Sequence, residues 1–124
     1  VSNSKRPALQ RRQTRASEAA RKAELDAGIA VLVDGERYEV RMGDLSSLDA
    51  AALRRATGFS FRGLMTAAAT DPDIDVIAGI VWLSRRINGE PLLDYTEVAS
   101  AIGYDVEIDL ADLDESAEGE LPEA

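Results

Sequence analysis

The stretch from Asp73 to Ile87 constrains this chain more than any other, because its apolar residues repeat with a helical period over about four turns. At 100° per residue Val76, Ile80, Leu83 and Ile87 fall on one stripe, with Ile77 and Val81 beside it. A helix with so broad an apolar face must be buried, so the other segments have to be read as its cover. Asp75, Gly79, Trp82 and Arg86 lie on the opposite face, so the only tryptophan points away from the strongest stripe. Either another element of the chain covers that ring or a partner does; tryptophan is enriched in binding hot spots. Asn88-Gly89-Glu90-Pro91 closes the helix.

The cover comes from short elements on both sides. Ile29-Ala30-Val31-Leu32-Val33 is a β-branched run, Asp34-Gly35 a turn dipeptide, and Arg37 to Met42 alternates polar and apolar residues. This predicts a β-hairpin with Tyr38, Val40 and Met42 on a packed face and Arg37, Glu39 and Arg41 on a wet one. Ser46 or Ser47 caps a helix through about Thr57, with Leu48, Ala52 and Leu53 inward and Gly58 as its stop. Ser60 caps a shorter helix from Phe61 to Ala69 that buries Phe61, Leu64 and Met65. Asp71-Pro72-Asp73 ends that helix and starts the next. A last one spans Tyr95 to Ile102, capped by Asp94 or Thr96 and ended by Gly103. The expected fold is α+β and mainly helical: an N-terminal hairpin packed on a small bundle of three to four helices.

Charge divides the chain into three blocks. Residues 1–28 form a basic head with seven Lys or Arg against three acids, residues 29–104 the folded core, and residues 105–124 an acidic tail with nine acids and no base. The tail has too little apolar surface to offset the entropy of ordering, so disorder is its expected state. The head favours helix from Ala8 to Asp26, with Pro7 placed as a first-turn proline, yet its stripe is mostly alanine. Such a helix is expected to order mainly on contact with something else, or to remain a frayed terminus. It contains no aromatic residue, which counts against single-stranded nucleic acid as its partner.

The 124 residues contain neither cysteine nor histidine, which removes disulfides, thiolate nucleophiles and the commonest general base and metal ligand. Asp71, Asp73 and Asp75 alternate like the first ligands of a calcium loop, but such a loop needs glycine where Val76 stands and glutamate where Trp82 stands. No metal or cofactor is expected, and no phosphate-cradling glycine loop or nucleophile turn is present. No apolar run reaches the roughly 18 to 20 residues that span a bilayer, and the opening residues carry no secretory signal pattern. A non-catalytic, cytoplasmic protein-binding module is the expected class.

Val33-Asp34-Gly35-Glu36-Arg37-Tyr38-Glu39-Val40, then Leu53-Arg54-Arg55-Ala56-Thr57-Gly58, then Asp73 through Arg86 resemble the tail assembly chaperones of long-tailed (siphovirus-type) bacteriophages. The likeness continues through Tyr95-Thr96-Glu97-Val98 and covers about residues 29–110. The resemblance implies a helical protein of the host cytoplasm that binds the tape-measure protein during tail building, can self-associate, and is absent from the finished virion. It also implies a longer, frameshifted form. The basic head departs from the family's compact pattern. On this reading Trp82, Phe59 and Phe61 carry contact energy with the client, while Arg85 and Arg86 tune charge. The alternatives are a virion structural or adaptor protein and a small nucleic-acid-associated regulator that uses the basic head.

Overall fold

In the computed structural model of the chain, residues 7–113 are described, with side chains from residue 17 onward. The described fold is α+β and mainly helical, with five helices and one three-stranded antiparallel sheet. In chain order the elements are α1 (Pro7–Asp26), β1 (Gly28–Val33), β2 (Glu36–Arg41), a 3-10 turn (Met42–Asp44), α2 (Ser47–Thr57), α3 (Phe61–Thr70), α4 (Ile74–Ile87), α5 (Tyr95–Ala101) and β3 (Ile108–Ala111).

The apolar helix of the sequence is α4, and the rest packs around it. Every residue from Val76 to Ser84 is buried, so its second face is enclosed as well as its main stripe. Leu53 of α2, Phe61, Leu64 and Ala68 of α3, Val98 of α5 and Val31 and Val40 of the sheet complete the core. Burying a side chain of this size contributes about 1.5–3 kcal/mol. No described helix is long and apolar enough to cross a membrane.

The sheet has the order β2-β1-β3. β1 and β2 pair in the register Ile29↔Val40 and Val31↔Tyr38. Asp34 and Gly35, with φ of 52° and 84°, make the type I′ turn that suits the right-handed twist of paired strands. Opposite residues share a face, so Ile29, Val31, Val33, Tyr38 and Val40 all meet the helices. At Gly28 an added Cβ would lie 2.1 Å from the Val40 carbonyl oxygen, so only glycine admits this approach of the two strands.

β3 corrects the expectation of a wholly disordered tail over residues 105–124. Ile108 pairs with Val33 and Ala111 with Ala30. The Asp34 N–H donates to the Glu107 carbonyl (2.8 Å), and the Glu107 N–H donates to Asp34 Oδ1 (2.9 Å). An acidic average hid a short alternation in which Ile108 packs on the core while Asp109 faces solvent. An edge strand needs only one apolar face. Residues 114–124 of that predicted tail, and residues 1–6 of the head, lie outside the described residues.

Local signals explain the helix boundaries. Ser46 Oγ accepts from the Asp49 N–H (3.2 Å) while Asp49 Oδ2 accepts from the Ser46 N–H (3.0 Å), a reciprocal capping box. Gly58, at φ 84°, ends α2 in the left-handed conformation that glycine adopts without a Cβ clash. Ser60 caps α3 through the Gly63 N–H, and Asp73 caps α4 through the Ile74 N–H. One orientation differs from expectation: Leu48 is 74% exposed rather than inward. The buried side of α2 centres on Leu53, and Leu48 stands about 140° around the helix from it. From residue 17 onward α1 is solvent-exposed, tethered by the Arg62–Glu24 ion pair and by Arg41 Nη1 donating to the Asp26 carbonyl (3.1 Å).

Candidate partner-binding surface

The five residues expected to bind a partner do not form one exposed surface. Trp82 is 3% exposed. Its indole N–H donates to the Leu93 carbonyl (2.8 Å), the Tyr95 ring meets it edge-on at 5.7 Å, and the Arg86 guanidinium lies over it at 5.6 Å. Thus the segment after α4, folding back through Leu93 to Tyr95, covers the ring, and the expectation of a tryptophan offered to a client is corrected. Phe61 is buried in the core, where it too lacks a free face, and Phe59 is partly buried against it. The Phe59 N–H donates to Thr57 Oγ1 (3.1 Å).

The two arginines brace this corner. Arg85 donates through Nε and Nη2 to the Glu90 carboxylate at 2.8 and 2.9 Å, which holds that carboxyl below its ordinary range. Arg86 donates through Nε to Asp49 Oδ1 (2.9 Å) and through Nη1 to the Pro91 carbonyl (2.9 Å). One guanidinium therefore ties the first turn of α2 to the loop after α4 while closing over Trp82. Burial pushes the Asp49 carboxyl up, but hydrogen bonds from Ser46 and Arg86 outweigh it and leave the carboxyl below its ordinary range.

Two exposed residues flank the groups that Arg86 holds. Leu48 precedes Asp49 and Leu92 follows Pro91, so each stands one residue from a group held by Arg86. They are 74% and 94% exposed, the most exposed of the large aliphatic residues among those described. The sequence offered no period for Leu92, which lies in a turn, and the helical stripe misassigned Leu48. Tyr104 is also exposed, its hydroxyl donating to Asp73 Oδ1 at 2.9 Å beside the start of α4.

A second, polar feature lies between the end of α4 and β2. Arg37, Glu39, Asp44, Ser84, Ile87 and Asn88 line an open cleft of about 430 Å³. Glu39 accepts from Arg37 Nη2 (3.1 Å) and Arg41 Nε (2.8 Å). Burial pushes the Glu39 carboxyl up, and those two guanidinium groups more than reverse it. Arg37 Nη2 also donates to the Asp112 carbonyl and Arg41 Nη2 to the Leu113 carbonyl, at 3.1 and 3.3 Å, so two guanidinium groups of β2 hold the residues that follow β3. Among the described residues no group of three or more His, Cys, Asp or Glu gathers into a metal cage. What these surfaces offer is apolar contact at Leu48 and Leu92 and hydrogen bonding along β2. In comparison with known proteins, no family model, no curated protein and no solved structure matches this chain.

Proposed function

We propose that this chain is a non-catalytic binding module that serves as a tail assembly chaperone of long-tailed bacteriophages, holding the tape-measure protein in the host cytoplasm while a tail is built. The observation that carries the reading is the pair of exposed leucines, Leu48 and Leu92, each next in the chain to a residue that Arg86 holds. Exposed aliphatic side chains on a fixed frame suit the apolar stripe of an amphipathic client helix. The working unit is the hairpin packed on α2 to α5, with the contact role moving from Trp82 and Phe61, which are enclosed, to the two leucines. Arg85 and Arg86 act by bracing the loop after α4.

Co-expression with fragments of the tape-measure protein tests this. The wild-type chain should retain a fragment on purification, and Leu48→Asp combined with Leu92→Asp should release it while the melting temperature stays within a degree or so, since surface substitutions usually change stability by less than about 0.5 kcal/mol. Failure of the wild type to retain any fragment would sink the chaperone reading. Equal retention by the double variant would remove the leucines from it.

A further inference from the structure

Among the described residues the sheet ends at β2, an edge strand whose Arg37 and Glu39 are complementary to the same pair on a second copy. With a type I′ turn at Asp34-Gly35, Val33 and Glu36 form the hydrogen-bonded pair that closes the hairpin. The backbone groups of β2 then alternate: those of Glu36, Tyr38 and Val40 face β1, and those of Arg37, Glu39 and Arg41 face outward. The other side of β1 keeps the same phase, since Asp34 bonds Glu107 there, and Leu32 and Ala30 lie opposite β3 at Asp109 and Ala111. Among the described residues no strand lies beyond β2, and the outward N–H and C=O groups of Arg37 and Glu39 donate and accept no backbone bond. The cleft lined by Arg37, Glu39, Ser84, Ile87 and Asn88 lies beside this edge, with the end of α4 as its far wall. An edge in this state is a template for another strand.

We propose that the occupant is a second copy of this chain, joined by antiparallel pairing of β2 with β2 about a two-fold axis to give a continuous six-stranded sheet. The charge order selects the partner and the register. With Tyr38 opposite Tyr38 of the second copy, Arg37 of each strand stands opposite Glu39 of the other, so the two pairs flanking the axis join opposite charges, while Arg41 meets the turn at Gly35. A two-fold axis at Glu39 would place carboxylate against carboxylate, which is destabilising. The pairing is isologous: each strand gives the other what it receives. This inference does not depend on the chaperone reading.

Two measurements decide it. By sedimentation or light scattering the wild-type protein should pass with rising concentration from 13.3 kDa to twice that mass. In the same range hydrogen exchange at the Arg37 and Glu39 amides should slow by at least tenfold, while Tyr38 and Val40, already bonded to β1, stay as they were. Glu39→Arg places arginine at both positions that pair across the axis and Arg37→Glu places glutamate at both, so each variant alone should lose the dimer. Mixing the two should restore it as a heterodimer, because arginine then meets glutamate at both pairs. A wild type that stays monomeric with fast edge amides overturns the proposal, as does dimerisation that both single variants retain. Edge protection that appears only on adding a foreign extended peptide would also overturn it, assigning the edge to another protein's strand. If either variant fails to fold, the exchange measurement on the wild type stands alone as the decision.

Discussion

Trp82 shows how one side chain changes role between sequence and fold. Its indole places an edge-on Tyr95, an overlying Arg86 and the Leu93 carbonyl around one ring, so its energy is spent inside the molecule. Trp82→Ala should therefore destabilise the protein by about 3–5 kcal/mol, the usual cost of emptying a large core position. Trp82→Phe should cost less, leaving the Leu93 carbonyl without its donor at roughly 1 kcal/mol above the lost packing. Urea unfolding of the two variants measures both; a Trp82→Ala midpoint equal to wild type would mean the ring is not enclosed. Helical spacing correctly put Trp82 opposite the Val76 stripe, but spacing along α4 carries no information about a loop that returns from residue 93. The same gap explains Leu92, whose exposure follows from the course of that loop alone.

At the scale of elements, α2 joins local and tertiary control. Its start is written locally, because Ser46 and Asp49 stand three apart and satisfy each other's backbone donors. Its attachment is tertiary, since the same Asp49 carboxylate also receives Arg86 from α4. The linkage has a definite sign. The folded-state pKa of Asp49 lies below its unfolded value, so the ion pair contributes stability above the unfolded pKa, about 3.9, and that contribution is lost as pH falls through the lower folded value. Asp49→Asn keeps an acceptor at the cap and removes the charge. The stability difference between wild type and this variant should be largest near neutral pH and should shrink as the medium is acidified below about pH 4, read from urea midpoints across a pH series. A difference that stays constant down to low pH would show that the charge contributes nothing. β2 behaves likewise: its alternation was legible as Arg37, Glu39 and Arg41 against Tyr38, Val40 and Met42, whereas the ion pairs that make Glu39 the centre of a ladder needed the pleat to align them.

For the whole molecule, the decisive addition is the third strand. A chain ending after Val106 would strip β1 of its partner along Ala30 to Val33 and withdraw Ile108 from the core. Its melting temperature should fall by roughly 4–8 °C for each kcal/mol lost, and a thermal scan of that truncation against the full chain reads it directly. An unchanged melting temperature would mean that β3 adds nothing to the fold. The sequence by itself determined the elements whose causes are local: the period of α4, the cap at Ser60, a cap at Ser46 or Ser47, the break at Asp71-Pro72-Asp73, the turn at Asp34-Gly35 and the stop at Gly58. These depend on spacing and on side chains that reach their own backbone, which a linear reading contains. Only the tertiary structure decided that an acid-rich segment supplies β3, that Trp82 is covered by its own chain, and that Leu48 and Leu92, beside the two groups held by Arg86, are exposed. Each of those depends on contacts between segments far apart in the chain, where the free energy of pairing or burial overrides what the composition of a segment favours in isolation.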